Sequence, residues 1–204
     1  MRPFSIAVAA VMLAFGGAAV AQTPVPPPGV PDASRIKAGT YTADSRHSQV
    51  AWRLSHMGFN ATHGLFGMIT GTLTLDPANP AAASVSVEIP IASVQTSVPA
   101  LIENIMKPML MDAAKYPTAT FKSTKVEVSG TTAKITGDLT LHGVTRQVLL
   151  DARLVGAGAN PNSKKDTVGF EATTSINRFD YGITGVPIVA DKVDLDISIA
   201  FERN

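Results

Sequence analysis

Four histidines, His47, His56, His63 and His142, are the side chains best suited to proton transfer or metal ligation. No two stand at a ligand spacing such as His-x3-His, and the chain has no cysteine to complete a zinc site. Hydrogen-bonded structural roles therefore account for them better than zinc or copper, and neither a metal nor a cofactor is expected. No G-x-S-x-G elbow presents a nucleophile. The acidic run Asp191, Asp194, Asp196 lacks the spacing of a calcium loop, and strand alternation puts Asp194 and Asp196 on a solvent face.

A different chemistry gathers near the middle of the chain. Met106, Met109 and Met111 stand among Leu101, Ile102, Ile105 and Leu110. Methionine is flexible and polarizable, so such a cluster suits a surface that adapts to a flexible apolar ligand. The same composition would also serve as ordinary core in a helix that plugs a barrel. Val98, Leu101, Ile102, Ile105 and Met106 recur at helical spacing, with Ser97 placed to cap and Glu103–Lys107 spaced as an ion pair. Pro108 must end or kink that helix, and Met109–Ala114 suits a second short turn. The spacing predicts a largely helical insertion over 97–114.

The elements around this insertion read as strands. Val50, Trp52, Leu54 and His56 share one side of a period-two pattern. Leu65, Ile69, Leu73 and Leu75 follow, with Gly67 and Gly71 between them, and then Val85, Val87, Ile89 and Ile91. Val193, Leu195, Ile197, Ile199 and Phe201 alternate with Asp194, Asp196 and Ser198. Turn signals at Asp76-Pro77, Ser129-Gly130, His142-Gly143 and 156–162 separate these runs. Seven to nine strands at this spacing suggest a sandwich or a barrel.

The N-terminus is of another kind. Arg2 precedes an uncharged run from Phe4 to Val20 that ends in Ala19-Val20-Ala21, the layout of a secretory signal peptide cut after Ala21. The small residues and clean cut favour cleavage over a retained anchor. Residues 22–39 hold Pro24, Pro26, Pro27, Pro28 and Pro31, an extended linker with nothing to bury. Residues 40–204 form one domain. Removing 1–21 leaves 16 basic against 16 acidic residues, so the mature chain has no electrostatic footprint for nucleic acid. Aromatic content of 6% gives no girdles, which argues against an outer-membrane barrel.

Five phrases then occur in order. They are Tyr41-x-x-Asp44-x-x-His47-Ser48; His56 with Gly64 and Phe66-Gly67; Lys115-Tyr116-Pro117 with Phe121-x-Ser123; Gly137-x-Leu139-Thr140-Leu141-His142-Gly143-Val144-Thr145; and Arg178-Phe179-Asp180-Tyr181-Gly182. From Tyr41 to Phe201 the chain resembles the YceI-like family of bacterial periplasmic polyisoprenoid-binding proteins. The resemblance implies a mainly β fold: a single lipocalin-like antiparallel barrel of about eight strands with a short helical insertion. Its lumen would hold a long isoprenoid of polyprenyl or quinone type, for transport, storage or stress response in the periplasm. The chain departs from the family where an acidic-aromatic D-F-F-D phrase often precedes K-Y-P; here the stretch reads Met109 to Ala114. No catalytic residues carry over.

The residues expected to touch such a chain are Trp52, Leu54, His56, Phe66, Leu101, Ile105, Met106, Met109, Phe121, Leu139, Leu141 and Arg178. The alternative is a periplasmic enzyme acting on a lipid head group, with His56, Arg178 and Asp180 as polar centre. A homodimer and a transient contact with a membrane are both compatible with the sequence. If the export reading holds, N-terminal sequencing of protein from the periplasmic fraction should begin at Gln22; Met1 or Arg2 on membrane-bound material would overturn it.

Overall fold

The structure is a computed structural model and describes residues 25–204. The expected signal peptide lies outside the described residues. Ten strands follow in chain order: β1 (Gly39–Ala43), β2 (Gln49–His56), β3 (Asn60–Phe66), β4 (Thr70–Leu75), β5 (Ser84–Pro90), β6 (Thr118–Ser129), β7 (Thr132–Leu141), β8 (Val144–Ala159), β9 (Asp166–Asn177) and β10 (Lys192–Arg203). One helix, α1 (Pro99–Met106), sits between β5 and β6.

All pairings are antiparallel, in the order β1-β4-β5-β6-β7-β8-β9-β10, and β1 pairs with β10 to close an eight-stranded barrel. Closure removes the free edges of these eight strands. The hairpin β2–β3 continues from β10 beside the closure point, so β10 holds two strands along one edge. Its C-terminal end pairs with β1 (Ala43↔Phe201), and its N-terminal half pairs with β2 (Ile197↔Val50).

The chain must leave β10 between β1 and β2, which would orphan the backbone of Ala200. Asp44 donates its N–H to the Ala200 carbonyl at 2.9 Å, and the Ala200 N–H donates to Ser48 Oγ at 3.2 Å. The Asp44 carboxylate accepts from Arg46 N–H at 3.1 Å and bonds His47 Nδ1 at 2.6 Å. Tyr41, fully buried, donates its hydroxyl to the Lys37 carbonyl at 2.6 Å. The first sequence phrase is thus a corner that mends a broken ladder.

Two other phrases build the end where β7 turns into β8. His142 and Gly143 both take left-handed backbone (φ 51° and 75°), as a tight hairpin turn requires. The Tyr116 ring lies directly over Gly143, where any Cβ would collide with it, and meets His142 edge-on at 4.8 Å. Gly137 leaves room in the same way for the ring of Phe121.

The alternation expected for β5 and β10 holds: Val85, Val87 and Ile89 point inward, as do Leu195, Ile197, Ile199 and Phe201. Three local expectations change. The run 65–75 is broken at Gly67–Ile69, where Met68 is left-handed (φ 54°), so the inward face switches register. Leu65 therefore faces out at 39% exposure, while Phe66 packs inward. The insertion is helical only over Pro99–Met106, because Pro108 stops it and 108–115 is a chain of turns. Val98, not Ser97, is the N-cap, and Lys107 bonds Asn104 instead of Glu103. Finally, the linker is not undocked: Val30 bridges to Ala157 on β8, and a short 3-10 turn spans Ala33–Arg35.

Ser48 is 3% exposed, and among the described residues its hydroxyl is the side chain that accepts the Ala200 amide. Ser48→Ala should cost about 1–3 kcal/mol, the price of a buried donor left unpaired. Hydrogen exchange should place the loss at Ala200; unchanged stability and protection there would refute this account of the corner.

Candidate functional site

Strand polarity gives the barrel two unlike ends. At one end lie the β5–β6 insertion, the β7–β8 turn and the β9–β10 connection; at the other lie the β4–β5 loop, the β6–β7 turn and the segment ahead of β1. The first end is plugged. Leu110 and Met111 from the insertion, with Tyr181 and Ile183 from the β9–β10 connection, pack on the barrel core beside Leu141 and Val144. Alongside, Trp52, Val94 and Ile105 form a second cluster with Leu54, Phe66, Leu101, Ile102 and Met106.

The interior beyond the plug is hollow. A cavity of about 540 Å³ runs to the other end, walled almost wholly by aliphatic and aromatic carbon. Its hollowness has a local cause. Ala133, Ala152 and Ala172 are paired in a row across β7, β8 and β9, and all three line the space. Small side chains on three adjacent strands leave room that Leu or Phe would fill. The mouth is edged by Ala33, Ser34 and Ile36, by Pro77 and Pro80, and by Thr131, Thr132 and Arg153. Arg153 is ion-paired with Glu171, so no free charge points inward from it.

The sequence-expected residues divide between these places. Phe121 and Leu139 line the cavity. Trp52, Leu54, Phe66, Leu101, Ile105 and Met106 come together in the second cluster, outside the cavity wall, and Leu141 belongs to the plugged end. Met109 is 55% exposed. His56 ends β2, half-buried, and its backbone bridges to Val189. The wall on β8 and β9, including Leu150, Ala152, Leu154, Phe170 and Ala172, was not read from the sequence, although its alternation was there to find.

Arg178 is 5% exposed and lies in a 3-10 turn, Arg178–Tyr181, not on a strand. Its guanidinium donates to five carbonyls: Ala190 (3.0 Å), Ile183 (2.7 Å), Gly185 (2.7 Å), Val186 (3.0 Å) and Val189 (2.9 Å). Five donors on five acceptors exhaust the side chain. Burial pulls its pKa below the ordinary arginine value, with the charge of Asp191 opposing. Arg178 is a clamp for the β9–β10 connection, and it holds Val186 in left-handed backbone (φ 55°). Among the described residues, no hydrogen bond or ion pair joins His56, Arg178 and Asp180. No group of three or more potential metal ligands occurs among the described residues.

Two buried polar atoms have no partner among the described residues: Trp52 Nε1 and the Tyr181 hydroxyl. Burial, then the charge of Asp180, pushes the Tyr181 phenol up. On the outer wall, Lys192, Ser175 and Arg53 hold the Asp194 carboxyl well below the usual carboxylate range.

Comparison with known proteins agrees with this architecture. The family model of the YceI-like domain matches residues 41–201. A UPF0312 protein of Pseudomonas putida (strain W619) is 39% identical over 170 residues, covering 82% of this chain and 88% of its own. The protein YceI of Escherichia coli (strain UMN026) is 40% identical over 157 residues, covering 76% and 82%. Among solved structures, Burkholderia cenocepacia BcnA superposes with a TM-score of 0.69 at 25% identity, over 78% of this chain and 98% of its own. A polyisoprenoid binding domain from Saccharophagus degradans shares the fold, with a TM-score of 0.61 at 16% identity over 82% and 100%. With the family model spanning the whole barrel and relatives near 40% identity, this chain belongs to the YceI-like domain family.

Proposed function

We propose that this protein is a periplasmic binding protein that holds one long isoprenoid chain in its barrel, tail toward the plug and polar end at the mouth. The cavity carries the reading. Its volume of about 540 Å³ lies within the range of small-molecule sites. At roughly 30 Å³ per heavy-atom group, as for a water in liquid, it takes on the order of 18 groups, or about three to four five-carbon units. A longer chain would extend past the mouth. Each buried CH2 contributes about 0.8 kcal/mol, so a filled cavity binds tightly without any polar contact. Such a wall does not tell one apolar chain from another by chemistry. Length is set by the plug and the mouth.

Phe121 and Leu139 would touch the tail, with the alanine row opposite the aliphatic wall. The hydroxyls of Ser34, Thr131 and Thr132 would meet the polar end. Trp52, Ile105 and Met106 would act one layer back, holding the plug. Membership of the YceI-like family supports the lipid reading, as does the Saccharophagus domain described as binding polyisoprenoid. The same comparisons favour a binding protein over an enzyme, and the engaged guanidinium of Arg178 leaves a lipid head group no cation there. Placement in the periplasm, and a role in moving or storing lipid there, rest on the N-terminal 21 residues and the family.

Ala172→Phe tests this directly. In a filled core the ring would overpack and cost about 1–3 kcal/mol. In a hollow barrel it occupies ligand space. Melting should change little, while binding of an isoprenoid quinone should weaken at least about tenfold. Lost stability with unchanged quinone uptake would sink the proposal.

A further inference from the structure

We propose that the segment Pro28–Ile36 is a gate over the barrel mouth, and that apolar ligand enters and leaves when this strap lifts from β8. The inference rests on the cavity being the ligand site. Four observations carry it.

First, β8 is built to seat the strap. A Cβ at Gly158 would collide with the Pro28 carbonyl oxygen, and one at Gly156 would come within 3.1 Å of Gly29 backbone. Bare backbone at Gly158 is what lets the strap approach, and at Gly156 it spares a tight contact. Between them Ala157, fully buried, exchanges reciprocal backbone bonds with Val30: Ala157 N–H to the Val30 carbonyl at 2.8 Å and Val30 N–H to the Ala157 carbonyl at 3.4 Å.

Second, the strap reaches the mouth. Ala33, Ser34 and Ile36 are part of the cavity wall. Third, its far end is anchored. Lys37 pairs with Asp166 at 2.9 Å, and its carbonyl accepts the Tyr41 hydroxyl at 2.6 Å, so movement hinges ahead of Lys37.

Fourth, little holds the middle down. The turn Ala33–Arg35 has no buried residue. Its polar contacts are internal: Asp32 Oδ1 accepts from Ser34 N–H at 2.9 Å and from Ser34 Oγ at 2.6 Å, and Arg35 reaches Asp32 at 3.8 Å and the Pro28 carbonyl at 3.4 Å. The strap can leave as a preformed unit, without breaking these bonds. What it uncovers on β8 is the Ala157 methyl group flanked by glycines, and at the mouth it withdraws the half-buried Ile36 from the edge of the core. A segment with no fully buried side chain, half-buried aliphatic contacts only at Val30 and Ile36, and two bridging hydrogen bonds belongs to the part of a fold that opens below the cost of global unfolding.

The chain's lack of cysteine makes a clean test available. Residues that exchange both backbone bonds have Cα atoms about 5.5 Å apart, within disulfide reach. Val30→Cys with Ala157→Cys should therefore oxidise to a staple across the strap. Entry and release of N-phenyl-1-naphthylamine, a neutral apolar dye that brightens on leaving water, should slow on the order of tenfold or more when oxidised. Dithiothreitol should restore both rates. Gly158→Val, which evicts the strap, should speed both rates while melting stays near the parent value. Equal rates in oxidised and reduced protein would overturn the gate and leave the cavity as ligand site standing. Failure of the staple to form would refute the docked geometry. Dye uptake by neither form would refute the cavity reading and the gate together.

Discussion

Strand β10 carries two neighbours along a single edge, β1 at one end, which closes the barrel, and β2 at the other, and the gap between them is bridged. The bridge is small: one backbone N–H from Asp44 and one hydroxyl from Ser48, both directed at Ala200. Without it the eight-stranded ring would have a seam with orphaned polar groups, and a sheet with a seam has no reason to keep its lumen. Asp44 and Ser48 serve that seam directly, and His47 holds the Asp44 carboxylate.

A hollow barrel cannot rely on filling its own interior for rigidity, so stiffness has to come from elsewhere. Here it comes from closure and from one plugged end. The insertion with α1, the Tyr116 ring over the β7–β8 turn and the five-carbonyl clamp of Arg178 all sit at that end. They leave the opposite end free to be a mouth. The methionines that suggested an adaptable ligand surface lie in or around the plug, and Met109 faces out. Adaptability there serves packing between a helix and a strand hairpin, where irregular gaps need a flexible filler.

The antiparallel strands were legible in the sequence because their signals are local, while the choice of barrel over sandwich rested on the family resemblance. Alternation in β5 and β10 and turn residues at 129–130 and 142–143 each report on a few neighbours along the chain. The site was less legible, because a cavity is defined by what fails to fill it. Ala133, Ala152 and Ala172 are unremarkable one at a time and meaningful only once antiparallel pairing sets them side by side. Arg178 shows the same limit from the other direction. The sequence offered Arg178 as a ligand contact or as part of a polar centre; its five carbonyl partners come from a loop whose path no pattern in 183–190 announces. The strap was missed for a third reason. Proline-rich composition speaks of extension but not of docking, and the docking depends on glycines more than a hundred residues away on β8.

The account turns on the lumen being a space that a lipid occupies and not an accident of small side chains. Native mass spectrometry of the protein recovered gently from its native host addresses this most directly, with extraction and identification of any bound molecule. One apolar chain of isoprenoid type per barrel, displaced by Ala172→Phe, is the predicted result. Protein that is uniformly empty, or that carries a polar molecule unaffected by that substitution, would contradict the account.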